Sequence, residues 1–276
     1  MPDRKKLITV LTYTGYFIAA FLVFVVVLFP YDRVKNRIES EVRVRTPFEL
    51  NIGRIAPRFL NRVTLLDVVV SDRTGTVLFE SPALRAHLSL FGLLRGLLGV
   101  DLRGQAYGGE VMLQLEEGAK RHHLSVDIDG LDAGAYPLFK SLGYTVSGRL
   151  GGSFTMTDGT GRAKVWAKDL ASRELKVKGF PVPDLDFEQG WFEAEVKNDR
   201  LSIKRLDLDG KELKVRISGE LVTRERGLLN LVIRLKPSER IAKEQAVLLS
   251  FLKNRDPEGF YQFTLGGTLN EPLPRF

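Results

Sequence analysis

From about Phe48 onward the chain alternates between apolar and polar residues with a period of two. In HLSVDIDG, Leu124, Val126 and Ile128 fall on one side and Ser125, Asp127 and Asp129 on the other. VSGRLGGSFTM sets Val146, Leu150, Phe154 and Met156 against Ser147, Arg149, Ser153 and Thr155. LKVRISGEL sets Leu213, Val215, Ile217 and Leu221 against Lys214, Arg216, Ser218 and Glu220, and LLNLVIRL continues with Leu229, Leu231, Ile233 and Leu235. The closing FTLGGTLNEPLPRF puts Phe263, Leu265, Gly267 and Leu269 on one face before Pro272 and Pro274 stop the ladder. Such alternation predicts strands with one buried and one wet face, the antiparallel habit.

Turn residues separate these runs at 72–75, 107–110, 157–161, 197–199, 208–212 and 223–227, so most connections are expected to be hairpins. Two short helices are expected after Phe48. One lies near 132–143 and holds Pro137; the other covers 238–254 with Ser238 as N-cap. The Leu-rich stretch 91–99 reads as a turn of helix at a sheet edge. A sheet with one apolar face must cover that face. It can fold over as a sandwich, close as a barrel, or curl into an elongated trough with an apolar groove. In an open groove, Leu150, Phe154, Val215, Ile217, Phe263 and Leu265 would meet acyl chains or an extended peptide. In a closed sheet the same side chains are core.

The N-terminus breaks the period. Leu7 to Phe29 carries no charge. As a helix it would reach about 34 Å, enough for a hydrocarbon core of ~30 Å. Its length, and the lack of an A-x-A site near Leu28-Phe29-Pro30-Tyr31, argue for an uncleaved transmembrane anchor rather than a signal peptide. The expected division is 1–30 as tail and anchor and 31–276 as a β-rich domain. Arg4, Lys5 and Lys6 favour a cytoplasmic N-terminus; Arg33, Lys35, Arg37, Arg43 and Arg45 oppose it, but a long domain translocates despite such charge. Val34, Ile38 and Val42, four apart, predict a juxtamembrane helix before Pro47.

The chain has 276 residues, a formal net charge of +7 and no cysteine, which excludes disulfides and thiolate chemistry. Both signs of charge mix along the strands and no aromatics interleave with the basic residues, so nucleic-acid binding is not expected. His122 and His123 are adjacent and face opposite sides of a strand; with His87 they make no metal pattern. Asp127, Asp129 and Asp132 fail the spacing of a calcium loop, as do Asp207, Asp209 and Glu212. No nucleophile elbow or phosphate-binding glycine motif occurs. No catalytic residue, metal ligand or cofactor is expected.

The closing GFYQFTLGGTLNEPLP resembles the ending of AsmA-like periplasmic proteins. The opening ELNIGRIAPRFLNRVTLLDVVVSDRTGTVLFESPALRAHLSLFGLLRG, then VDLRGQAYGGEVMLQL, is similar to the start of that superfamily. The size, the single anchor and LDAGAYPLFKSLGYTVSGRLGGSFTM resemble the type II secretion system protein N family within it. That resemblance implies a single-pass inner-membrane protein with its body in the periplasm. The implied role is non-enzymatic, binding other secretion-system proteins to assist assembly or export across the outer membrane. The alternative is an AsmA-like protein that carries phospholipid in an apolar β groove.

Overall fold

The computed structural model describes residues 12–275 apart from 18–19, 22–23, 25–27, 60, 90–91, 93–94, 120, 138, 140–143, 174–175, 178–179, 182–183, 223–226, 251, 253–254 and 269–270. Helix α1, Tyr31–Arg45, covers the segment where Val34, Ile38 and Val42 predict a helix. Strands follow in chain order: β1 Phe48–Phe59, β2 Arg62–Asp72, β3 Val77–Leu88, β4 Leu98–Ala106, β5 Gly109–Glu117, β6 His122–Asp132, β7 Thr145–Thr157 and β8 Thr160–Arg173. After the two-residue strands β9 Lys176–Val177 and β10 Phe180–Pro181, which pair only with each other, come β11 Leu185–Lys197, β12 Arg200–Asp209, β13 Leu213–Val222, β14 Leu229–Pro237, β15 Tyr261–Gly267 and β16 Pro272–Arg275. Helices α2, Glu239–Glu244, and α3, Ala246–Ser250, lie between β14 and β15.

Fourteen of the strands form one antiparallel sheet in strict sequence order, with β8 passing directly to β11. At ~4.8 Å per strand the sheet is roughly 60 Å wide. Three two-residue hairpins have both central residues at positive φ: Tyr107-Gly108, Asp158-Gly159 and Asn198-Asp199. This is the backbone whose twist matches the flanking strands, and the expected hairpins follow from it.

The curled trough and the sandwich are both corrected: the sheet is single, open and uncurled. Every strand in it pairs with its neighbours in the order, and the two strands left over among the described residues, β9 and β10, form only a two-residue pair with each other. The two edges are also occupied or short. On β1, Ile52 N donates to Glu39 Oε1 of α1 at 2.8 Å, and Lys35 Nζ reaches Gly53 O at 3.4 Å. On the other edge, β16 has four residues, two of them proline.

Among the described residues no helix is long and apolar enough to cross a membrane. Much of the expected anchor, Leu7 to Phe29, lies outside them. Its described positions up to Leu28 are helical, and Tyr13, Tyr16, Phe17, Phe21, Phe24 and Leu28 are exposed. The helix expected near 132–143 starts as a 3-10 turn, Ala133–Ala135, capped by Asp132; 138 and 140–143 are not described. The helix expected over 238–254 is split into α2 and α3, and Ser238 is its N-cap as expected, accepting from Ile241 N at 3.3 Å.

The turn before β15 folds back onto the polar face. Phe260 is buried beneath Arg216, Arg234 and Lys236, whose cationic groups lie 4.6, 5.0 and 5.7 Å from its ring centre. Asp256 accepts from Phe260 N at 2.9 Å and forms an ion pair with Arg234. The Arg234 hydrogen bond, then that from Phe260, holds the Asp256 carboxyl below its ordinary value. A lowered carboxylate pKa stabilises the fold fully above the unfolded value of about 4, and this contribution disappears as the pH falls through the lower folded value. Asp256→Asn is therefore expected to lower the urea midpoint at pH 7 and to converge with the parent chain near pH 2. Parallel curves across that range would contradict the pairing.

Gly219 in β13 has φ 137°, and a Cβ there would lie 2.2 Å from Asn230 O of β14. Gly219→Val is expected to destabilise the chain by about 1–3 kcal/mol, read from chemical denaturation; an unchanged midpoint would contradict this pairing register.

Candidate functional site: the apolar face

Directly opposed residues in an antiparallel ladder share a face. One row of partners runs from β1 to β15: Ile55, Leu65, Leu84, Gly104, Val111, Ile128, Gly152, Val165, Phe192, Leu206, Ile217, Ile233 and Phe263. A second crosses all fourteen strands: Pro57, Val63, Ala86, Leu102, Leu113, Val126, Phe154, Ala163, Ala194, Ile203, Gly219, Leu231, Leu265 and Pro274. Neither row contains a side chain that is charged or can hydrogen-bond. A third runs through Leu131, Leu150, Ala167, Gly190, Leu208, Val215, Leu235 and Tyr261.

Register irregularities keep these rows aligned. In β6, Ile128 pairs with Gly152 and Leu131 with Leu150, so two residues of β6, Asp129 and Gly130, stand against Gly151 alone. Gly130 takes φ 67° there. In β12, Ile203 pairs with Ala194 and Leu206 with Phe192, so Lys204 and Arg205 stand against Glu193 alone. A bulge of this kind inserts one residue without turning the next apolar residue to the wrong face.

All six groove candidates lie on this one face. Ile217 and Phe263 belong to the first row, Phe154 and Leu265 to the second, Leu150 and Val215 to the third. They do not form one pocket. Phe154 and Leu150 on β7 stand four strands from Val215 and Ile217 on β13, roughly 19 Å at ~4.8 Å per step. All six are half-buried. Full burial on the sheet falls mostly on the first strands, at Ile52, Ile55, Val68, Leu84, Ala86 and Ala106, and on small residues such as Ala194. Most of the larger side chains of the central and later strands thus retain accessible surface on the open apolar side, Phe187 of β11 being a buried exception.

The opposite face is polar, and from β8 onward its charges are paired across strands: Arg162 with Glu195 at 3.5 Å, Lys164 with Glu193 at 3.5 Å, Arg200 with Glu220 at 3.2 Å. At most positions this is a solvated, self-neutralised surface. His122 and His123 do separate. His122 stands 3.4 Å from Glu117, and His123 meets Thr157 Oγ1 at 2.9 Å. No group of three or more metal-ligating side chains occurs among the described residues. Tyr107 Oη accepts from Glu80 N at 2.6 Å within an edge-to-face train with Phe79 and Tyr136, and burial pushes its pKa up to about 12. That phenol stays neutral near pH 7 and fastens a hairpin. No protein-family profile, curated protein or solved structure matches the chain.

Proposed function

We propose that the chain is a non-enzymatic, membrane-anchored carrier or scaffold for lipid, which it holds by laying acyl chains on the apolar face of its sheet. One observation carries the reading: two unbroken apolar rows cross thirteen and fourteen strands, and the described residues leave only the short β9–β10 pair outside that sheet. A contiguous apolar surface of that extent, left half-buried by its own neighbours, calls for an apolar partner. Burying a methylene contributes ~0.8 kcal/mol. A chain lying on an open face buries roughly half its surface, so an acyl chain of about 16 carbons would gain on the order of 6 kcal/mol from the face. The rows run across the strands, the direction in which the face is continuous.

The exposed aromatic side chains at Tyr13, Tyr16, Phe17, Phe21 and Phe24 support a segment that lives in lipid. With Arg4, Lys5 and Lys6 before it, the reading places the sheet outside the cytoplasm of a bacterial inner membrane, in the periplasm. The AsmA-like resemblance supports the same assignment. A secretion-system component remains the second reading. With β1 held by α1 and β16 short and proline-bearing, such a component would bind its protein partner on the apolar face rather than by adding a strand.

Both readings meet one test. The full chain is purified in detergent beside Ile217→Glu and Leu231→Glu, each adding a charge to an apolar row, and bound phospholipid is quantified. The expected result is phospholipid beyond that held by a fragment ending at residue 30, reduced at least tenfold in the variants, with unchanged strand content by circular dichroism. Equal lipid in all samples, with a protein partner lost from the variants, favours the secretion reading.

A further inference from the structure

Many charges on the polar face of the later strands are paired across strands, whereas four arginines of the first four strands are not. Arg58 of β1, Arg62 of β2, Arg85 of β3 and Arg103 of β4 line one cleft of about 490 Å³. None of the four makes an ion pair or side-chain hydrogen bond among the described residues. Elsewhere on the same face arginines are engaged: Arg205 with Asp207 at 2.6 Å, Arg216 with Glu258 at 3.5 Å, and Arg234 with Asp256.

Arg85 and Arg103 are direct cross-strand partners. Two like charges in that register oppose folding, and an anion bound between them would offset the cost. One carboxylate, Asp101, also lines the cleft, and it is turned to His87. Asn61 Nδ2 meets His87 Nε2 at 2.8 Å, which leaves the Nδ1 proton toward Asp101 Oδ2 at 3.5 Å.

A second observation comes from the floor of the cleft. Thr64, the partner of Arg85 on β2, is only 8% exposed, and its Oγ1 is buried with no hydrogen-bond partner. A buried hydroxyl without a partner costs free energy. Thr64 lines the same cleft as the four arginines that also lack partners. An oxyanion in the cleft would satisfy both at once, accepting from the forked guanidinium N–H groups and from the Thr64 hydroxyl.

We propose that this cleft is a binding site for a phosphate-bearing ligand, on the face opposite the acyl-binding one and independent of it. The ligand takes its charge from a phosphate mono- or diester. Its source is either the headgroup of an anionic lipid or a soluble phosphate. Two of its four strands, β1 and β2, are the first after α1 and the apolar N-terminal segment, which favours the headgroup.

The test is calorimetric titration of the full chain in a neutral detergent with dihexanoyl phosphatidic acid, dihexanoyl phosphatidylcholine and inorganic phosphate. Phosphatidic acid is expected to bind at least tenfold more tightly than phosphatidylcholine. Inorganic phosphate binding as tightly as phosphatidic acid assigns the site to soluble phosphate; weaker binding assigns it to the headgroup. Arg85→Gln with Arg103→Gln is expected to weaken phosphatidic acid at least tenfold, whereas Lys164→Gln, a paired lysine on the same face, leaves it unchanged. Thr64→Val is expected to raise the melting temperature of the ligand-free chain while weakening binding several-fold. Removing like charge and an orphan hydroxyl does not threaten folding, so loss of binding will not be confused with unfolding. No binding by either phosphate probe, or equal binding by the double arginine variant, overturns the proposal. So does binding of polyglutamate in preference to both.

Discussion

The structure turns on an unmet packing requirement. A β-sheet with one apolar face reaches a stable state by burying that face against a second layer, and this sheet has used its strands in a single one. Backbone hydrogen bonds are satisfied strand by strand along the meander, so the ladder needs nothing further. The apolar side does. Cross-strand neighbours shield one another, which leaves most of the large side chains of the central strands half-buried, an intermediate state that a lipid chain or a protein surface would complete.

The same constraint explains where the irregularities sit. A ladder of fourteen strands fails as an apolar surface if one register slip turns a strand over. The two-against-one pairings at Asp129-Gly130 and Lys204-Arg205 absorb extra residues and return Leu131 and Leu206 to the correct side. Glycines at 152 and 219 let facing backbones approach where a Cβ would collide with Lys164 O or Asn230 O at 2.2 Å. The edges are managed separately, by α1 side chains on β1 and by prolines on β16, which limits pairing between sheets without closing them.

Much of this was legible from alternation alone. Strict period-two patterning, separated by Asp-Gly and Asn-Asp turns, is local information, and it led to antiparallel strands, hairpins and the shared face of Leu150, Phe154, Val215, Ile217, Phe263 and Leu265. Whether the sheet closes is not local. It depends on the twist summed over many strands and on what occupies the edges, so trough, sandwich and barrel had the same pattern. The polar-face cleft was missed for a related reason. Arg58, Arg62, Arg85 and Arg103 are scattered over 46 positions of sequence, and the net charge reads as interleaved. Only the register places Arg85 between Thr64 and Arg103. The sequence signal, had it been weighted, was an arginine on the polar phase of each of four successive strands.

Because the chain has no cysteine, single reporters can be placed anywhere on the sheet. The most direct measurement compares a fluorophore on Leu113→Cys, in the second apolar row, with one on Gln114→Cys, its neighbour on the polar face, in chains reconstituted with phospholipid carrying a quencher on its acyl chain. Strong quenching at position 113 and little at 114 is the result the account predicts. Quenching at neither position, with the probe at 113 also shielded from aqueous quencher, would mean that protein covers the apolar face and would contradict it.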